Sequence, residues 1–192
     1  MRVIPKIRGL GTLQAAMSKS PTPKRPSSGG GTPAILALER AGVPFVIHQF
    51  DHPATTGDIG YGKAAANALG VDESRVFKTL LVEISDSGSG SHRHAVGIVP
   101  VSGSLSLKAM AIAVGAKRAD MMAPAVAERL TGYVVGGISP FGQKKSSVTV
   151  IDVSATAHPT IFVSGGKRGL DIEIAGADLI SVLDAISAPI VA

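Results

Sequence analysis

"RVFKTLLVEI", residues 75–84, decides the fold. Its residues are β-formers, and after Lys78 the run is almost continuously apolar, so it reads as a strand. "SDSGSGSHR" (85–93) follows as a polar, glycine-broken loop, and "HAVGIVPVSG" (94–103) is a second apolar run. Two such runs around a polar tip predict an antiparallel hairpin with a long loop.

Upstream, "TPAILALERAG" (32–42) predicts a helix. Thr32 suits the N-cap, Pro33 the first helical position and Gly42 the stop. "VPFVIHQF" (43–50) reads as a strand and "GYGKAAANALG" (60–70) as a short helix ending at Gly70. Downstream, "LSLKAMAIAVGAKR" (105–118) and "APAVAERLTG" (123–132) each contain a helix. "GYVVGG" (132–137), "SVTVIDVS" (147–154), "TIFVSG" (160–165) and "LDIEIA" (170–175) read as strands, and "ADLISVLDAIS" (177–187) as a closing amphipathic helix. Strands cluster without regular βαβ alternation. The class expected is therefore α+β (mixed α/β), with a mixed or antiparallel sheet curled towards a barrel.

Of the 192 residues, 45% are hydrophobic and 17% charged, as in a globular domain with a sizeable core. No apolar run approaches the ~18–20 residues of a membrane-spanning helix. The N-terminal stretch is basic but only brokenly apolar, which argues against a secretory signal. The absence of cysteine excludes disulfides, thiolate zinc sites and a cysteine nucleophile. The net charge is +5, but residues 1–31 hold six basic residues and no acid, leaving −1 for residues 32–192. The basic character thus belongs to the tail, and nucleic-acid contact must come from a local cluster. "MSKSPTPKRPSSGGG" (17–31) cannot bury enough apolar surface to offset its ordering entropy, so residues 1–31 are expected to be a disordered extension and residues 32–192 the domain.

Two glycine-rich turns carry the candidate chemistry: "GGISPFGQKK" (136–145) and "VSGGKRGLD" (163–171). The first nearly spells a phosphate-binding loop. However, Gln143 stands where the lysine belongs, Lys144 comes one place late without a following Ser or Thr in register, and Pro140 removes a donor. Successive amides in such turns either form a donor nest for an anion or oxyanion, or simply make turns. Lys78, at the head of its strand, either snorkels to the surface or points into a cleft. Asp171 either receives an amine or bonds the amides of its own turn. His48 and His52 have a zinc-like spacing only on a helix, which Pro44 and Pro53 oppose, so no metal site is expected. No G-x-S-x-G elbow supports a serine hydrolase.

"FKTLLV", "GYVVGGISPFGQKK", "TVID" and "IFVSGGKRGLDIEI" resemble the YbaK/EbsC family of aminoacyl-tRNA deacylases, from about Thr32 to the C-terminal helix. The resemblance implies a single domain around a barrel-like mixed sheet, related to the editing domain of bacterial prolyl-tRNA synthetases. It implies hydrolysis of a wrong amino acid from tRNA(Pro), foremost Cys-tRNA(Pro). The alternatives are Ala-tRNA(Pro), or a non-catalytic aminoacyl-tRNA or nucleotide-binding or synthetase-partner module. Matched by motif, Lys78, Gly137, Ser164 and Asp171 are the catalytic candidates. Phe50, Tyr61, Gly62, Thr79, Gly136, Gly165 and Gly166 are the substrate-binding ones, and Lys144, Lys145, Lys167 and Arg168 the tRNA-facing ones. Phe50 replaces a tyrosine common in the family, and Lys63 stands where an acid is common. Also implied are attack by the substrate's own thiol, the tRNA(Pro) acceptor end and prolyl-tRNA synthetase as partners, and a cytoplasmic location. No cofactor, DNA or membrane is implied.

Overall fold

The computed structural model describes residues 31–51, 60–85 and 92–192. All of the tail except Gly31, together with His52 and the hairpin tip, lies outside them. The long hairpin forms as expected. β2 (Val76–Ser85) pairs antiparallel with β3 (His92–Pro100) from Phe77 opposite Pro100 to Ser85 opposite His92. β1 (Val46–Gln49), β5 (Val148–Asp152), β6 (Ile161–Lys167) and β7 (Leu170–Ile174) complete the strands read from the sequence. β4 (Arg118–Met121) and β8 (Ile186–Ala188) were not foreseen.

The sheet runs β1-β7-β6-β2-β3-β5-β8, with β4 also on β2. It is mixed: β6 joins β2, β5 joins β3 and β8 joins β5 in parallel, while the other pairs are antiparallel. The mixed α/β class thus holds. α1 (Pro33–Ala41) starts as anticipated, with the Thr32 hydroxyl accepting from the Ile35 amide, and ends at a left-handed Gly42. α2 (Tyr61–Leu69), α3 (Leu107–Ala113), α4 (Pro124–Thr131) and α5 (Gly176–Leu183) follow. The main core packs Ile35 and Leu38 of α1 and Leu179 of α5 onto Phe77, Leu81, Ile98, Ile161, Val163 and Ile172 of the sheet.

Two expectations need correction. "GYVVGG" is not a strand. Gly132 caps α4 in the left-handed region, Gly136 has φ +84°, and the Gly137 amide closes a turn onto the Val134 carbonyl. Tyr133 beneath it is buried, and its hydroxyl donates to the Phe141 carbonyl. The closing helix stops at Leu183, not at Ser187. Asp184 turns left-handed (φ 48°), and Ile186–Ala188 instead adds to the sheet beside Val150–Asp152.

One irregularity of the sheet creates the site. β6 pairs with β2 only at Val76 and Phe77, and β4 pairs with the same edge only from Val82 onward. Between them, among the described residues, 78–81 pair with no strand on that side. The phase of the ladder is fixed by bonds from the Val101 amide to the Val76 carbonyl and from the Met122 amide to the Leu81 carbonyl. Even-numbered residues therefore address β3, and the backbone N–H and C=O of Thr79 face the slot.

Candidate active site

A cavity of about 320 Å³ occupies this slot. Side chains alternate across a strand, so the two faces of β2 give it two unlike halves. Lys78 lies on one face. Ser164 and Asp171 are directly opposite each other on β6 and β7, and the β2–β6 register, continued one residue past Phe77–Val163, sets Lys78 beside Ser164. The three line one row across the sheet, and Phe50, Tyr61 and Gly62 border the same cavity. On the other face Thr79 sits among Phe77, Leu81, Met122, Ala127 and Ile138.

The electrostatics of the polar half are unusual. Asp171 is 7% exposed, and among the described residues no hydrogen bond or ion pair holds its carboxylate. Burial alone pushes its pKa up from 3.8 to about 6. Glu173, two residues along the same strand face, is the contrast. Burial opposes its charge, but hydrogen bonds from Thr160 and His48 and the nearby Arg75 outweigh this and hold its pKa below the ordinary value. One carboxylate is structurally satisfied; the other is left facing the cavity. Lys78 donates to the Gly103 carbonyl at 2.7 Å, and burial, aided by Lys63, lowers its pKa. It makes no ion pair with Asp171 among the described residues, so a cation and an anion share the cavity without neutralising each other.

The glycine motifs shape this half. The Ser164 hydroxyl accepts from the Gly166 amide at 3.3 Å, within the bulge between Ser164 and Lys167. The Thr32 hydroxyl donates to the Gly165 carbonyl, fastening that bulge to the start of α1. Gly137 lies against the Lys167–Arg168 backbone, where an added Cβ would come within 2.9 Å of Lys167 Cα. Gly136, with φ +84°, lies under the Tyr61 ring, and the Arg168 guanidinium lies over that ring at 4.5 Å. Arg168 also donates twice to the Val135 carbonyl, at 3.0 and 2.8 Å, while the Val135 amide donates to Glu128. Arg168 thus staples the two motifs together across Tyr61.

These facts sharpen the candidate set. Lys78, Ser164, Asp171, Phe50, Tyr61, Gly62, Thr79 and Gly136 line the cavity, whereas Gly137, Gly165 and Gly166 form the turns behind it. The donor-nest reading of Gly137 fails, because its amide is spent on Val134; its value is the close approach of the two turns. Lys144, Lys145 and Lys167 are exposed and do not line the cavity. Lys144 folds along Gly132. The sequence reading missed the Thr79 backbone and the wall made by Met122, Ala127 and Ile138. β4 and the turn after α4 are short, and nothing in their patterning marks a cavity. Among the described residues no cluster of three metal-ligating side chains exists, and no histidine lines the cavity. No described helix is long and apolar enough to cross a membrane.

Residues 60–182 match the model of the aminoacyl-tRNA editing domain. The chain belongs to that family. It is 34% identical over 151 residues to EbsC of Enterococcus faecalis, named as a Cys-tRNA(Pro)/Cys-tRNA(Cys) deacylase, covering 79% of this chain and 87% of that protein. It is 28% identical over 108 residues to the multifunctional Ser/Thr-tRNA deacylase ProXp-y of Escherichia coli K12, covering 56% and 59%. A crystal structure described as a trans-editing enzyme for prolyl-tRNA synthetase superposes with a TM-score of 0.69 at 21% identity, over 85% of this chain and 99% of that one. The YbaK/EbsC resemblance and the deacylase enzyme class are thereby borne out, and the last likeness extends to the fold.

Proposed function

We propose that the slot hydrolyses the ester of mischarged tRNA(Pro), with Cys-tRNA(Pro) as the main substrate. The observation that carries this reading is the unpaired coexistence of Lys78 and buried Asp171 in one cavity beside a free strand edge. An aminoacyl ester presents three features to bind: an ammonium, a carbonyl that becomes an oxyanion, and the ribose-phosphate of the 3′ end. Asp171 receives the ammonium, and that charge draws its carboxyl into the ionised form. Lys78 addresses the 3′-terminal ribose or phosphate. The Thr79 N–H, rather than the glycine turns, faces the reacting carbonyl; donors of this type contribute roughly 3–4 kcal/mol in known cases.

Among the described residues the cavity holds no activated protein nucleophile. The Ser164 hydroxyl accepts from Gly166, and no histidine stands beside it as a base. The substrate's own thiol fits this arrangement. Its sulfur attacks the ester carbonyl, the C–O bond to the ribose breaks, the proton lost by the thiol ends on the ribose oxygen, and a cyclic thioester leaves for hydrolysis by water. The name of EbsC, the more similar and more fully covered of the two relatives, supports a Cys-directed reading, whereas that of ProXp-y points to Ser and Thr.

With a charge of −1 on residues 32–192, intrinsic tRNA affinity is weak. Recruitment through prolyl-tRNA synthetase in the cytoplasm supplies the missing selectivity. The test is amino-acid release from Cys-, Ser-, Ala- and Pro-tRNA(Pro), with and without the synthetase. Release of cysteine, strengthened by the synthetase, is expected; an untouched cysteinyl ester would remove the assignment.

A further inference from the structure

Among the described residues, the apolar half of the cavity contains one polar side chain, that of Thr79. Thr79 is 9% exposed, and its Oγ1 is buried without a hydrogen-bond partner among the described residues. Its surroundings are Phe77, Leu81, Met122, Ala127 and Ile138. A buried hydroxyl without a partner is costly, and a valine of the same shape would carry no such cost. Thr79 lines the cavity on the face of β2 opposite the row of Lys78, Ser164 and Asp171.

We infer that the Thr79 hydroxyl is the selectivity element of the amino-acid subsite, recognising a short side chain that ends in a thiol or hydroxyl. This rests on the deacylase reading above. With the ammonium on Asp171 and the carbonyl at the Thr79 amide, the substrate's side chain extends across β2 into the apolar half. There Thr79 turns about χ1, exchanging the buried hydroxyl with its methyl, and a β-substituent one atom beyond Cβ pairs with Oγ1. Cysteine and serine supply that atom; alanine ends short and leaves the hydroxyl orphaned. Because the rest of the wall is apolar, a thiol, which costs less to strip of water than a hydroxyl, fits better than serine. Selectivity of this kind comes from a site group left unpaired by the wrong substrate.

The experiment compares kcat/KM for Cys-, Ser- and Ala-tRNA(Pro) in the wild type, Thr79→Val and Thr79→Ser, with thermal melts of all three proteins. Wild type should rank Cys above Ser above Ala. Thr79→Val should cut both the Cys-to-Ala and the Ser-to-Ala ratios by about 5- to 20-fold. Thr79→Ser, which keeps the hydroxyl, should restore them to within about twofold, the margin expected of a near-neutral change. A parallel fall for serine, which carries no thiol, ties the effect to hydrogen bonding rather than to the nucleophile. The valine variant should melt no lower than wild type, since it removes an orphan group. Unchanged ratios, or a valine variant that melts lower than wild type, overturn the inference. A wild type that releases none of the three amino acids instead overturns the deacylase reading on which it rests.

Discussion

Replacing Asp171 by asparagine removes the buried, unpaired charge while keeping the side chain's shape, and its effect on stability follows from the structure. The carboxyl titrates at an ordinary value of 3.8 in the unfolded chain and at about 6 in the fold, with burial as the cause. Below pH 3.8 both states are protonated and the group costs nothing. As the pH rises from 3.8 towards 6, the unfolded chain ionises while the folded one does not, and stability is lost. Above pH 6 the loss is complete and amounts to about 3 kcal/mol. Glu173 and Asp152, whose pKa values the fold lowers, act in the opposite direction, but they are common to both proteins and cancel in the difference. Urea denaturation of wild type and Asp171→Asn from pH 4 to 7.5 should therefore show the variant gaining on the wild type with rising pH, by about 2–3 kcal/mol across the window. The buried amide of asparagine lowers the whole curve by a constant amount and leaves the slope intact. Deacylation should fall in the same variant, because a neutral amide does not hold the substrate's ammonium. Parallel pH profiles for the two proteins would refute the claim that Asp171 is held buried and unpaired in the fold.

Three further outcomes follow from the packing of the glycine motifs and from the tail. Gly137→Ala drives a Cβ into the Lys167–Arg168 backbone, which cannot give way cheaply, so a stability loss of about 1–3 kcal/mol should appear in thermal or urea melts together with reduced ester release. Arg168→Ala removes both hydrogen bonds to Val135 and the stacking on Tyr61, costing about 1 kcal/mol at this exposed site. Its kcat/KM should drop several-fold, with Arg168→Lys intermediate; with only two tyrosines in the chain, the shift of the Tyr61 ring resonances reads the effect directly. Deleting residues 1–31 should leave ester release intact at low salt, and a large loss there would show that the basic tail contributes to tRNA contact.

How much of this was legible in the sequence depended on whether the signal was local. Thr32 and Pro33, the left-handed stops Gly42 and Gly70, and the two apolar runs of the hairpin were readable because caps and strand runs act over a few residues. The row of Lys78, Ser164 and Asp171 came from motif resemblance, since nothing local says that β2, β6 and β7 lie side by side. Three features escaped. "GYVVGG" has strand-like residues, but its glycines and the anchored Tyr133 override propensity. The end of the closing helix is apolar in either reading, and pairing beside β5 claimed Ile186–Ala188 for the sheet. The slot itself is a mismatch between two strand pairings on one edge of β2, a property of the assembled sheet that no single segment encodes.

The central claim is that this slot cleaves an aminoacyl ester using a lysine and an unpaired carboxylate that do not neutralise each other. Single-turnover release of cysteine from Cys-tRNA(Pro) by wild type and by Lys78→Ala, each shown to be folded by its melting curve, tests it most directly. The account predicts rapid release by the wild type and release at the uncatalysed rate by the folded variant. A folded Lys78→Ala protein that cleaves the ester as fast as wild type would contradict it.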